Sequence, residues 1–419
     1  MNIQQKAAVC MKLERKQEGC LLSFVIKTNH RLTETLQFSH QNESMSLDSE
    51  PLSWGVLVKY LDVATNSKVF YTSYSKQKPC CGNICNDFLL AMENANRDHK
   101  LVAIGSSNLE KSRRFLKDRN YDARAYGSYM EVLKDPNVQV VYVGLRNAEH
   151  FYFTMKALDN GKHVLCEKPL GVNTKQVKQM ILKARAKRLF LMEGYWSRFF
   201  PVYHQIRETI ANNELGQPCL VTATLGYTLP PDFVNLDRGE TMLTTLGCYT
   251  VAFAQFVFGG KPLGISYTGR KNAKGGDSFS SVRLEYSNNR DAVVVLDERH
   301  FLPNDAYIAF EHGCVKIHGN FWAPTEMTIT NRGAVEHKTF SLDDERIFNY
   351  PNSSALRFEA DHVYDCIKNG RTESELMTLE ASQLIHEIVD ELRQIHMKIS
   401  FPQDKMFIYD LMRTMSLTQ

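Results

Sequence analysis

The segment Cys166-Glu167-Lys168-Pro169-Leu170-Gly171 follows an apolar run, Lys162 to Leu165, and ends it with a charged pair and a proline. A lysine there stands at the carboxyl edge of a buried strand, where ligands of open α/β sheets bind. The proline removes a donor and stiffens the turn, so the lysine is held in place. Such a lysine can donate to a substrate hydroxyl, or help to move its proton while hydride leaves the adjacent carbon. A dinucleotide partner would need a strand, a glycine turn and a helix, with pyrophosphate on the helix N-terminus. These pieces are present but separated. Trp54-Gly55-Val56-Leu57 reads as the front of a first strand, Cys81-Gly82-Asn83-Ile84 leads into a helix over Asn86–Glu93, and Val58 to Pro79 lie between. No GxGxxG is complete, and Gly82 alone suits an ordinary turn as well as a phosphate cradle.

The end of the second strand discriminates between cofactors, because a carboxylate there binds the ribose 2′-hydroxyl of NAD. After Leu101–Ile104 come Gly105, Ser106, Ser107 and Asn108 with no carboxylate, then Lys111, Arg113 and Arg114. Hydroxyls and cations suit the 2′-phosphate of NADP, although the same cations also make a solvated helix face.

These residues need elements to position them. Apolar runs at Leu101–Ile104, Val138–Val143, Lys162–Leu165 and Leu189–Met192 alternate with helical patterns at Leu109–Arg119, His150–Asn160 and Gln176–Lys187, which predicts a parallel sheet covered on both faces. The second half changes texture. Strand-like runs at Pro218–Gly226, Gly264–Arg270, Ser278–Tyr286, Asp291–Leu296, Ala306–Glu311, Gly313–His318 and Glu326–Thr330 are closely spaced. Helices over Thr241–Phe258 and Asn352–Lys368 interrupt them, and a last one spans Leu379–Met397. The fold class is therefore α/β: an N-terminal Rossmann-type doubly wound parallel sheet, then an α+β domain on a large, mostly antiparallel sheet. The expected boundaries are a polar, poorly ordered extension over 1–50, a dinucleotide-binding domain over 51–171 with an insert at 58–79, a substrate and dimerisation domain over 172–405, and a tail over 406–419. The apolar patch Leu21 to Ile26 reads as a strand without an obvious partner. Deleting the insert rejoins WGVL to CCGNICNDF and restores the strand–turn–helix spacing.

Composition excludes several functions. With Lys+Arg 50 against Asp+Glu 47, the net charge of +3 argues against a nucleic-acid partner. No run approaches the ~18 apolar residues of a membrane span. Met1 to Gly19 is charged throughout, unlike a secretory signal, and the 10 cysteines are dispersed with no CxxC pair, so a reducing, cytoplasmic setting is expected. Cys80 and Cys81, beside a helix start, are either reactive thiols or plain turn residues. His312 and His318 lack ligand spacing, and no metal is expected.

GKHVLCEKPLGVN resembles the signature of the glucose-fructose oxidoreductase and inositol dehydrogenase family of NAD(P)-dependent oxidoreductases. DPNVQVVYVGLRNAEH, LFLMEGYWSRFFP, LGCYTVAFAQFVFGG, EHGCVKIHGNFWAPTE and ISFPQDK arrive in family order and carry the resemblance from about Trp54 to Lys405, less the insert. The resemblance makes Lys168 the catalytic lysine, Glu167 its neighbour and His150 the histidine after the third strand. It aligns the family's GAGKI turn with Cys80 to Ile84, so Cys80 replaces the first glycine. Trp196, Arg198 and Phe199 match a stretch near the active site. The family's D-L-G-x-Y, with its two polar residues on one helix face, reads here Thr245-Leu246-Gly247-Cys248-Tyr249: Tyr249 is kept and the aspartate is Thr245. The resemblance therefore implies NADP held by Gly82, Asn83, Ile84, Ser106, Ser107, Glu167 and Lys168. Lys168 and Tyr249 would handle the proton of a vicinal diol or a sugar such as D-xylose, with Trp196, Arg198, Phe199 and Thr245 facing the substrate. It also implies a homodimer formed through the open face of the second sheet. Losing a general acid–base group typically costs ~10²- to 10⁴-fold in rate, so Thr245 also admits a catalytically weak homologue that binds NADP(H) or a sugar as a sensor or scaffold.

Overall fold

The computed structural model describes residues 9–11, 24–26, 50–58, 81–229 and 240–398. The chain divides into a unit ending at Glu50 and one starting at Pro51. In the first, β1 (Val9–Met11) pairs antiparallel with β2 (Phe24–Ile26), which gives the apolar patch ending at Ile26 the partner its sequence did not suggest. The rest of the N-terminal extension, the insert beyond Val58, Cys80 and the ISFPQDK segment lie outside the described residues.

The second unit holds two sheets. Six parallel strands, β3 (Leu52–Val58), β4 (His99–Gly105), β5 (Arg124–Tyr126), β6 (Val140–Gly144), β7 (His163–Glu167) and β8 (Leu191–Gly194), run in the order β5-β4-β3-β6-β7-β8. The order reverses between β3 and β6, the switch point where such sheets open a crevice for ligands. The strands are apolar on both faces because helices cover both. Trp54, Val56, Tyr142 and Leu165 share a core with α1 (Cys81–Met92) and α2 (Leu109–Asp118). Leu57, Val141, Val143 and Val164 share another with α3 (Tyr129–Lys134), α4 (Asn147–Asp159) and α5 (Thr174–Lys187).

Three boundaries differ from expectation. First, α1 begins at Cys81, so Gly82, Asn83 and Ile84 form its first turn instead of a separate glycine turn before a helix at Asn86. A glycine costs little there, since the first amides of a helix lack intrahelical partners in any case. Second, Val58 is the last residue of β3, not part of the insert. Third, β8 pairs in parallel with β7, so the first sheet runs on past residue 171 to Gly194. The strand β5 and helix α3, three and six residues long, were too short to show a period in sequence.

The second sheet has eight strands in the order β10-β11-β12-β9-β13-β14-β15-β16. They are β9 (Pro218–Gly226), β10 (Gly264–Lys271), β11 (Asp277–Tyr286), β12 (Arg290–Asp297), β13 (Ala306–Phe310), β14 (Gly313–Ile317), β15 (Glu326–Asn331) and β16 (Ala334–Thr339), and only the β12–β9 pair is parallel. Period-two burial places Val221, Ala223, Leu225, Val294 and Ile317 in the core. The unit is completed by α6 (Pro201–Asn212), α7 (Cys248–Phe258), α8 (Leu356–Lys368) and α9 (Leu379–Lys398). The last of these packs on both α7 and α5. It is also bonded to the first sheet's periphery: Asp390 accepts from the amide and hydroxyl of Thr174, both at 2.7 Å, and Arg393 donates to the Val172 carbonyl at 2.8 Å.

Candidate active site

Lys168 follows β7 directly, and its peptide bond to Pro169 is cis. The turn is fixed from two sides. Buried Glu193, on β8, accepts from the Leu170 amide at 2.8 Å and lies 3.0 Å from His386 Nε2 of α9. His150, buried on α4, lies between the end of β6 and the turn after β7, with Nδ1 2.8 Å from the Pro169 carbonyl and Nε2 3.1 Å from the Leu145 carbonyl, and its neutral ring donates to one of the two. Burial pushes the His150 ring below the usual imidazole range. So His150 supports the lysine turn from behind and does not itself touch Lys168.

The lysine reaches the element before α7. Residues Leu243–Gly247 form a wide π-type turn, a departure from the continuous helix expected over Thr241–Phe258 and of a kind frequent at functional sites. The turn presents the Thr245 carbonyl, which accepts from Lys168 Nζ at 2.7 Å. Nζ also sits 4.6 Å from the centre of the Tyr249 ring. The Thr245 hydroxyl is buried with no hydrogen-bond partner, at the position where the family aspartate is expected. Trp196, at the start of a 3₁₀ turn over Trp196–Phe199, donates its indole N–H to the Tyr249 oxygen at 2.9 Å. That donation leaves the phenol's own proton to point elsewhere. Burial, then the charge of Glu167, holds the Tyr249 hydroxyl well above the ordinary phenol range, so it remains a proton donor at neutral pH.

An aromatic wall continues from Tyr249. Its ring lies 6.3 Å from that of Trp322, which is 5.9 Å from Tyr227, and Tyr227 is 5.4 Å from exposed Phe301. Ser197 fixes the Trp322 backbone by donating to its carbonyl at 2.5 Å. Sequence reasoning missed Trp322 and Tyr227. Tyr227 directly follows β9 and Trp322 lies in the turn between β14 and β15, far apart in the chain, and their one available signal was an aromatic next to a turn, as in Phe321-Trp322-Ala323-Pro324.

The other expected residues are placed differently. Arg198 turns away from Lys168 and donates to the Leu376 and Ala252 carbonyls, both at 3.3 Å, and to the Gln255 side chain. Burial lowers its guanidinium to about 10. The Phe199 ring packs tilted against that of His362 on α8, with centres 5.0 Å apart. The 3₁₀ turn rotates successive side chains by roughly a third of a circle, so Trp196 alone of the three contacts Tyr249. Glu167 is buried and accepts from the Tyr142 hydroxyl at 2.7 Å; burial raises its carboxyl above the usual range. Ser106 is buried too, its hydroxyl donating to the Asn108 carbonyl at 2.7 Å and lying 2.9 Å from Ser112 Oγ, whereas Ser107 is exposed.

The crevice fits a dinucleotide. The first turn of α1 stands at the β3–β6 reversal, and α1 lies so close to the end of β6 that a Cβ on Gly144 would meet Cys85 Sγ at 2.1 Å. Beyond β4 the first carboxylate is Glu110, which is held by Arg113 at 2.7 Å.

Comparison with known proteins agrees with this architecture. The model of an oxidoreductase family with an NAD-binding Rossmann fold, GFO/IDH/MocA, matches residues 80–195, and the family's C-terminal domain model matches 203–316. The trans-1,2-dihydrobenzene-1,2-diol dehydrogenase of Xenopus tropicalis is 36% identical over 325 residues, covering 77% of this chain and 97% of its own. That of Homo sapiens is 35% identical over 329 residues, with the same coverage. Among solved structures, a 3-ketoreductase from Actinomadura kijaniata in complex with NADP and TDP-benzene superposes with a TM-score of 0.65 at 19% identity, covering 82% of this chain and 98% of that one. An aldose-aldose oxidoreductase from Caulobacter crescentus complexed with glycerol gives 0.67 at 19% identity, covering 82% and 97%. With both family domains present in order, and with relatives matched over nearly their whole length, this chain belongs to the GFO/IDH/MocA family of oxidoreductases and stands close to the dihydrodiol dehydrogenases.

Proposed function

We propose that the protein is an NADP-dependent dehydrogenase that oxidises a ring trans-diol or a sugar such as D-xylose. The observation that carries this reading is Lys168 Nζ held between the Thr245 carbonyl and the Tyr249 ring, at the edge of an aromatic wall. A flat unsaturated ring stacks on Trp322 and Tyr227 and presents its hydroxyls to Lys168 and Tyr249. Lys168 hydrogen-bonds the reacting oxygen, and its ammonium stabilises negative charge as that oxygen passes its proton to the deprotonated Tyr249 oxygen. Tyr249, oriented by Trp196, takes that proton through its minor phenolate form in oxidation and returns it to the carbonyl oxygen in reduction. NADP, when bound, supplies the hydride acceptor. The first turn of α1, with Gly82, Asn83 and Ile84, would hold its pyrophosphate. Ser107 and the α2 cations Lys111, Arg113 and Arg114 would hold the 2′-phosphate, with Ser106 shaping their turn from within. Glu167 would act by fixing the edge that carries Lys168.

One observation favours a second reading. Thr245 brings no carboxylate to the site, which suits a weak enzyme or a sensor that binds NADP(H) or a sugar. The two readings part in one experiment. Purified protein is titrated with NADPH by fluorescence, then assayed for NADP reduction with a benzene dihydrodiol and with D-xylose. Turnover raised by Thr245→Asp supports the dehydrogenase; tight binding without turnover in either form supports the sensor. A homodimer in a reducing cytoplasm completes the proposal. Buried thiols at Cys85, Cys166, Cys248 and Cys366 suit that compartment. The row Val293, Thr222 and Tyr307, on the sheet face opposite the core row Val294, Ala223 and Ala306, offers the pairing surface.

A further inference from the structure

Away from Lys168, α8 and the loop after it bring together three side chains of metal-binding type. His362 and Cys366 lie one helical turn apart and so share a face of α8, and Glu375 reaches them from the loop before α9. Cys366 Sγ is 3.3 Å from His362 Nε2 and 3.9 Å from Glu375 Oε2, and those two atoms are 3.8 Å apart. Tetrahedral zinc, with Zn–S of about 2.3 Å and Zn–N or Zn–O of about 2.0–2.1 Å, sets ligand–ligand edges of roughly 3.3–3.5 Å. The triangle is thus within about half an ångström of the required size, a difference that side-chain rotation closes.

The tautomer is also the required one. Buried Ser374 Oγ accepts from the amides of Leu376 at 3.0 Å and Met377 at 2.9 Å, which occupies both of its lone pairs. Its proton is therefore the one directed at His362 Nε2, 2.8 Å away, so that nitrogen is the unprotonated one, and a metal would take its lone pair over from the Ser374 hydroxyl. His362 also lines a cleft of about 700 Å³ with Phe199, His204, Asp361, Asp365 and Leu376, so an ion and a water ligand can enter from solvent.

Two features oppose binding. Arg371 pairs with Glu375 at 2.6 Å, and burial pushes the Cys366 thiol up to about 12. The guanidinium is half exposed and can swing into solvent, and a bound dication releases the thiol proton to water. Burial pushes the His362 ring below the usual imidazole range, the Glu375 and Asp365 carboxylates acting against it and the Arg371 and Arg207 guanidiniums with it.

We propose that His362, Cys366 and Glu375 bind one zinc-class divalent cation, with water as the fourth ligand. The ion lies behind Phe199, whose ring is 5.0 Å from His362, and so braces the 3₁₀ turn that carries Trp196. The sequence reading passed over this site because it sought paired histidines, whereas the ligands are of three types on a helix and a loop.

The full chain, stripped with a chelator and kept reduced, is titrated with Co²⁺. A sulfur-to-cobalt charge-transfer band that saturates at one equivalent and is displaced by Zn²⁺ is expected. Cys366→Ser abolishes the band. Glu375→Gln, an exposed change that leaves circular dichroism unaltered, weakens Co²⁺ binding at least ~10-fold. The proposal is overturned by the absence of a saturable band in the wild type, by a band that survives Cys366→Ser, or by unchanged affinity in Glu375→Gln.

Discussion

Tyr249 keeps its proton far above the usual phenol range because it is buried beside Glu167, and Trp196 donates to its oxygen without removing that proton. In the oxidative direction the substrate hydroxyl must shed a proton, which a protonated phenol cannot accept. Dehydrogenase turnover is therefore expected to rise with pH up to the alkaline limit of folding, and carbonyl reduction to fall over the same range. Steady-state pH profiles in both directions check this, and Tyr249→Phe should flatten them. Lys168→Met is expected to lower kcat by ~10²- to 10⁴-fold, and Thr245→Asp to raise it. Arg198 was the residue least legible in sequence. It falls within a motif whose first member, Trp196, does meet Tyr249, and only the 3₁₀ geometry shows the guanidinium spending its donors on Leu376, Ala252 and Gln255.

On α8, two carboxyls two residues apart respond to pH with opposite signs. Asp361 accepts from the Asn96 and Arg97 amides and lies against His99 Nε2, all at 3.0 Å, clamping the helix to the chain before β4. Burial raises its carboxyl, but these bonds outweigh burial and hold it below the ordinary range. Its stabilisation is present at neutral pH and lost as pH falls through the folded value. Asp361→Asn should cost about 2–3 kcal/mol at pH 7 and less near pH 4. Glu359, fully buried with neither oxygen partnered, is pushed well above 4.5 by burial and by Glu167. Its contribution is intact below the unfolded value and is lost as pH rises. Glu359→Gln should therefore gain about 1–3 kcal/mol at pH 8 and almost nothing at pH 4; thermal melts at the two pH values read both variants. At this scale the long elements were legible because period and turn residues agree: β9 spans Pro218–Gly226 as expected. The start of α1 was not, because Gly82 reads as a turn residue while its backbone is helical. Neither was the π-type turn at Leu243–Gly247, where the sequence reads as ordinary helix and the tertiary contact with Lys168 accompanies the widened geometry.

The second unit has a crevice where the parallel sheet reverses and an aromatic wall running from α7 past the end of β9, with α9 packed on α5 and α7. The near-neutral charge of +3 leaves room for a local cationic patch beyond β4. The dimer belongs to this scale. Val295→Glu, on the same open face as Val293 and two residues along β12, should convert a dimer to a monomer in sedimentation velocity while preserving the circular dichroism spectrum. A wild-type monomer would contradict the pairing. Fold class and the Lys168 turn were legible because strand ends and a proline mark them locally; Trp322 and Tyr227 were not, because only tertiary packing between the second sheet and α7 brings them to Tyr249. The most direct test of the account is the initial rate of nicotinamide reduction, followed by absorbance, with NADP and a benzene trans-dihydrodiol, wild type against Lys168→Met. The account predicts turnover in the wild type that collapses in the variant while both forms stay folded. Equal rates in the two, or no turnover in a wild type that binds NADPH, would contradict it.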